Sequence, residues 1–266
     1  MNTHVSMVWG TFLYEFRMQL RCRVLWIVMG LLMGITLYLQ RGPTRILLFN
    51  LETWHGSTLL PAMAIATWAD YVNRLLPIAV GVVLADRFPR DRQTRVDELL
   101  TTLPAGLGVR LLGKYLGSTC ATILPVFLYY SLGIGVLFAR VQSLMIFPIA
   151  LFAFATILLP GLLFVGAFSI ACPAFLWWPL YCFCFAAYWF WGNLLSPLQH
   201  IPTISTTILT PIGGYMSQGF FGVAAYGANA NATPLQGVES LILLLTLAFV
   251  ALLLTWGLLR WKQSRQ

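Results

Sequence analysis

Runs of about twenty apolar residues, with the charges gathered at their ends, recur along the chain and leave it few ways to fold. A helix needs roughly that many residues to cross a hydrocarbon core about 30 Å thick, and inside it every backbone polar group must be paired within the protein. Only 9% of the 266 residues are Asp, Glu, Lys or Arg, and 59% are hydrophobic, whereas a soluble domain carries about 25% charged residues. The expectation is an all-α membrane protein, a single transmembrane domain over 1–266 with about six spans and little length left for a soluble unit. The formal charge of +8 does not argue for nucleic acid, because the basic residues cluster beside the ends of the apolar runs, as orientation signals do. The N-terminal stretch is amphipathic with its charges late, which is not the pattern of a cleavable signal peptide. Five cysteines, odd in number and mostly inside apolar runs, read as buried free thiols.

Residues 5–23 read as an amphipathic helix in the interface: Phe12, Leu13, Phe16 and Leu20 gather on one side with Arg17 and Arg21 beside them. The plainer reading of the same basic residues is the positive flank of a first span. That span covers about 24–39 and holds Gly30-x-x-x-Gly34, a spacing that permits close helix packing. An outer segment follows over 40–68. A second span, about 69–85, carries Asp70 and Arg74 at i and i+4, a candidate polar pair near its outer end. The third span, about 115–138, is interrupted by Pro125, and the fourth, about 143–170, holds Pro148 and Pro160. The fifth, about 174–195, is rich in aromatics. Trp177 and Trp178 at one end and Trp189 and Trp191 at the other suit interfacial belts, or else the aromatics line a path for an apolar substrate. Residues 196–237 contain no Lys, Arg, Asp or Glu yet are broken by Gly, Pro and Thr. Short re-entrant or interfacial helices suit such a stretch, because broken backbone at membrane depth must be buried in protein or line a cavity. The sixth span covers about 238–259.

The most charged segment, 87–114, holds six of the sixteen Lys and Arg and three of the eight Asp and Glu. Within it Val96, Leu99, Leu100 and Leu103 fall at i, i+3, i+4 and i+7, one face of a short helix that Pro104 and Gly106 stop. A helix lying on lipid usually has a polar face rich in Lys and Arg. This one has Asp97 and Glu98 at its middle, which suits docking into a groove on a soluble partner. The run DRQTRVDELLTTLPAGLGVRLLGKYLG resembles the first cytoplasmic loop of ABC type-2 permeases, the membrane subunits of ATP-binding-cassette exporters. The residues that carry the resemblance are Arg92, Glu98-Leu99-Leu100, Thr102, Pro104 and Gly113-Lys114-Tyr115, with Arg95 near the place where the family often has Gly. It implies a coupling loop in which Val96, Glu98, Leu99, Leu100, Leu103 and Pro104 meet a separate cytoplasmic ATPase. It also implies a second permease, identical or not, and an elbow helix over 5–23. ATP and magnesium would then be held by the partner, with no cofactor on this chain.

Orientation follows from counting. With the N-terminus inside, Arg17, Arg21, Arg23, the six basic residues of 87–114 and Arg260, Lys262 and Arg265 are cytoplasmic, against Arg41, Arg45 and Arg140 outside. Both termini are then expected in the cytoplasm of a multi-pass cell-membrane protein, with a bacterial plasma membrane the expected setting. The stretch 108–115 nearly spells a phosphate-binding loop, but Tyr115 replaces the Ser or Thr that would hold magnesium and no strand precedes it. Gly113 reads instead as a close-packing residue, with Arg110 and Lys114 anchoring the inner end of the span. His4, His55 and His200 show no metal-ligand spacing, and no nucleophile or paired-carboxylate motif stands out, so no catalytic role is expected. The alternative to a permease is a membrane scaffold or accessory subunit that recruits a soluble partner without transport of its own.

Overall fold

The computed structural model describes residues 2–39, 59–87, 89–90, 106–195, 203–223 and 231–265. Among these, every regular element is helical. Helix α1 (Asn2–Leu20) meets α2 (Arg23–Leu39) at a bend of 60°. Helix α3 is Leu59–Ala85 and α4 is Leu107–Val141. Helix α5 (Ile146–Ala153) passes through a π-helical turn (Phe154–Leu158) into α6 (Leu159–Ala171). Helix α7 (Trp178–Trp189) ends in a second π turn (Phe190–Leu194), and α8 (Gly214–Phe221) and α9 (Pro234–Gln263) are the last of the described helices.

Four helical stretches are long and apolar enough to cross a membrane: Pro61–Ala85, Leu107–Val141, Ile146–Ala174 and Pro234–Gln263. The bent α1–α2 pair makes five if it counts as one. This is the build of a membrane protein. Helix α7 falls short of that length: its twelve residues and the five of its π turn reach about 25 Å at 1.5 Å per residue. The fifth expected span loses its start to Pro173 and the irregular stretch that follows; Pro179 opens the helix in its first turn.

Helix α3 is the centre of the bundle. Helices α2, α4, α5, α6, α7 and α8 all pack on it, and Ala69, Val72, Leu76, Val80 and Leu84 are buried at the contacts. It begins at Leu59, not near residue 69. Asp70 therefore lies near the middle of the helix and not close to its outer end. Helix α4 also runs unbroken through Pro125, which removes one backbone donor without ending the helix. Pro160 is accommodated differently. It has no N–H to offer residue 156, and the chain passes that point in the π turn Phe154–Leu158.

The two close-packing glycine pairs part company. Among the described residues, a Cβ on Gly30 or Gly34 would meet nothing within 4 Å. Gly113 and Gly117 on α4 instead form the groove that receives α1. A Cβ on Gly117 would sit 2.6 Å from the Phe12 carbonyl oxygen and 3.1 Å from the Phe16 nitrogen. Helix α1 is thus docked on protein along its length, and Glu15 and Gln19 are buried. The cysteines are free, but none is fully buried, and Cys120 and Cys184 are exposed on outward faces. Trp189 is also not a belt residue: it is completely buried against α3.

Candidate functional site

The residues expected to dock on an ATPase, Val96, Glu98, Leu99, Leu100, Leu103 and Pro104, lie outside the described residues. What surrounds that segment is described. At its start, Arg87 follows the end of α3, and at its finish α4 brings in Arg110 and Lys114. Both helices lean on α1 through one carboxylate: Glu15 Oε1 lies 3.5 Å from Lys114 Nζ, and Oε2 lies 3.9 Å from an Arg87 guanidinium nitrogen. All three side chains are buried. Lys114, expected as an anchor at the inner end of the span, points into this seam. Arg110 is half-buried, and its Nε has no hydrogen-bond partner among the described residues.

Among the described residues, the seam sets two cations, Arg87 and Lys114, around one carboxylate. Burial lowers the Arg87 pKa, and Glu15 opposes the fall. Around the cluster, Gln19 Nε2, Ser118 Oγ and Thr119 Oγ1 are buried without hydrogen-bond partners among the described residues. The 108–115 stretch that mimics a phosphate loop is helical throughout. Beyond the first turn its amides are bonded within the helix, so they cannot converge on a phosphate.

A second polar group sits halfway along α3. Arg74 Nε donates to Asp70 Oδ2 at 2.9 Å, and the guanidinium lies over the Tyr71 ring at 5.2 Å. The spacing foretold the pair, but the structure adds partners from distant parts of the chain. Asn73 is fully buried, and its Nδ2 reaches three carbonyl oxygens: Ile157 in the first π turn, Pro211 and Ile212. Gly161 lets the 203–223 segment approach, since a Cβ there would sit 2.1 Å from the Pro211 oxygen. Trp189 Nε1 donates to the Arg74 carbonyl at 2.7 Å. In the second π turn, Asn193 accepts from Thr210 at 3.2 Å. The uncharged segment therefore reaches the middle of α3, held by Asn73. Both π turns border this polar group, and such turns often mark functional positions.

Its depth can be read from α4. Residues 115–139 of α4 carry no charge, about 37 Å of helix. Trp68 donates to the Tyr130 carbonyl at 3.0 Å and packs on Tyr129, near the centre of that stretch. Asp70 and Arg74 follow within two turns.

Glu15, Asn73 and Asn193 were not foreseen. Glu15 was nevertheless the lone acidic residue of 1–23, and a single carboxylate in a helix otherwise apolar and basic is the signal that was available. Among the described residues no group of His, Cys, Asp and Glu has the makings of a metal site. Comparison with family models finds none that matches this chain, and comparison with curated proteins finds no relative.

Proposed function

We propose that the chain is the permease subunit of an ABC exporter, working as a dimer with a second permease and driven by separate cytoplasmic ATPase subunits. The proposed topology has six spans with both termini in the cytoplasm: α2, α3, α4, α5–α6, α7 and α9. Helices α2 and α7 are the short members. The excess of basic residues in 87–114 and at the two termini supports this orientation, as does the resemblance of that loop to type-2 permeases.

The observation that carries the reading is the Glu15 seam. The helix that leads into the 87–114 loop and the helix that leads out of it are tied to α1 by one buried carboxylate. A push on the loop has a rigid route into the bundle. Leu99, Leu100 and Leu103 supply the apolar docking face in this reading, Glu98 a polar contact, and the partner supplies ATP and magnesium.

The test is purification of the chain from its native membranes in mild detergent, with identification and ATPase assay of the soluble proteins that come with it. A nucleotide-binding ATPase recovered with the native chain, and lost from the Leu99→Asp, Leu100→Asp variant while insertion persists, is the expected result. Recovery of a different soluble protein would favour the scaffold reading and overturn this one.

A further inference from the structure

Helix α1 has three faces, and each meets something different. On the inner face Glu15 and Gln19 are buried, and Thr11, Phe12 and Phe16 lie along Gly113 and Gly117 of α4. Beside that contact runs an aromatic row, in which Phe12 stacks on Trp9 at 5.2 Å and on Phe16 at 5.8 Å. The outer face carries Tyr14 and Arg17, both exposed. Arg21 follows one turn on: it is exposed too, and its N–H donates to the Arg17 carbonyl at 3.2 Å.

The bend into α2 gathers more of the same charge. Arg21 and Arg23, both exposed, flank Cys22. Arg90, also exposed, arrives from the turn beyond α3, where its N–H donates to the Asp86 carbonyl at 3.1 Å. One of its guanidinium nitrogens lies 3.9 Å from Cys22 Sγ, so two parts of the chain 68 residues apart meet at this corner. The corner is pinned as well. Trp26 Nε1 donates to the Leu20 carbonyl at 2.8 Å across the 60° bend. The nearby carboxylates are engaged elsewhere: Glu15 faces inward to Arg87 and Lys114, and the half-buried Asp86 acts on Arg87. Residues 24–39 carry no charge, so the arginines stand where an apolar run begins, the level at which headgroups lie.

We propose that the corner formed by Arg17, Arg21, Arg23 and Arg90 is a docking surface for anionic phospholipid. The chemistry on the two sides of the corner selects that partner. Guanidinium forks match the oxygens of a phosphate in pairs, and several of them together favour a headgroup with net negative charge over a zwitterionic one. The exposed Trp9 and Trp26 beside them give the upper acyl chains an apolar surface, which a soluble anion has no use for. Helix α1 is then held from both sides, by α4 within and by headgroups without. A membrane surface is all that the corner requires; the exporter reading has no part in it.

The experiment titrates the full chain, purified in mild detergent, with dioleoyl phosphatidylglycerol or with phosphatidylcholine of the same acyl chains, and counts bound lipid by native mass spectrometry. An arginine beside an anionic surface contributes about five-fold, so the first phosphatidylglycerol is expected to bind on the order of thirty-fold more tightly than the first phosphatidylcholine. Arg21→Gln, Arg90→Gln is expected to remove most of that preference, and Arg21→Lys, Arg90→Lys to keep it. Arg260→Gln, Lys262→Gln takes the same charge from the exposed end of α9 and is expected to leave the preference in place. An equal loss there would mean that net charge alone attracts the lipid, and would overturn the assignment to the bend. Equal binding of the two lipids to the unsubstituted chain would overturn the proposal whether or not any variant folds. Inorganic phosphate in excess is expected not to displace the lipid; displacement would make the corner a site for soluble anions and overturn the choice of partner.

Discussion

The chain buries ions in two places, and it does so in opposite ways. At the seam between α1 and α4, one carboxylate serves two cations drawn from different elements, Arg87 beyond α3 and Lys114 on α4. In the middle of α3, one carboxylate serves one cation four residues away on the same helix, and the cation stays partly outside. The first arrangement fastens elements together: with Glu15 removed, two buried positive charges lose the carboxylate they share. The second closes within one turn of α3, and the neighbouring Asn73 ties that helix to other elements with its amide. Charge at the seam therefore joins elements, whereas the charge pair on α3 lies within one helix with its cation partly exposed.

The largest effect should come from breaking the first arrangement. Glu15→Gln takes from the buried Arg87 and Lys114 the carboxylate they share, and loss of one member of a buried ion cluster costs about 3–5 kcal/mol. The expected result is a large fall in the unfolding midpoint of the purified chain in mild detergent. The charge-removing double variant Glu15→Met, Lys114→Met should recover much of the loss, because it restores the balance between the seam and its surroundings. If Glu15→Gln melts with the native chain, the seam is not held by its charges.

Asp70→Asn sharpens the contrast from the other side. The amide oxygen still accepts from Arg74, and the guanidinium is partly exposed, so the loss is that of one charge-assisted hydrogen bond, about 1.5–3 kcal/mol and less where solvent reaches the pair. The same unfolding measurement should rank Asp70→Asn clearly below Glu15→Gln. An equal or larger effect would mean that the α3 pair is as structural as the seam.

The two sites differ in the same way in how far the sequence announced them. Asp70 and Arg74 could be paired from spacing alone, because four residues on a helix fix a neighbour. Their depth could not, because Leu59–Ala85 starts in a stretch whose Pro61 and Trp68 look like outer loop until the six surrounding helices are seen. Glu15, Arg87 and Lys114 are separated by most of the first 114 residues, and nothing local links them. Asn73 was likewise silent: an Asn in an apolar run gives no hint that its amide will hold the backbone at Ile157, Pro211 and Ile212. The broken, uncharged character of 196–237 did announce a segment that needs burial, for the reason that exposed backbone is not tolerated at depth. The helical face at 96–103 lies outside the described residues.

The glycine pairs give the smallest predicted effect and the finest comparison. Gly113 and Gly117 share their four-residue spacing with Gly30 and Gly34, so the motif alone cannot tell a filled groove from an empty one. The structure distinguishes them by what a side chain would strike. At Gly117 it would strike the backbone of α1, which carries Glu15 into the seam. At Gly34 it would strike nothing among the described residues. Gly34→Ala should therefore change the unfolding midpoint of the isolated chain by no more than the helix-propensity gain of about 1 kcal/mol, in the stabilising direction. The informative measurement is that variant's size on gel filtration beside its midpoint. An unchanged size means that the Gly30–Gly34 face lies against lipid. A shift toward a smaller species, with the midpoint held, means that a second copy packs on this face through the Gly30–Gly34 motif.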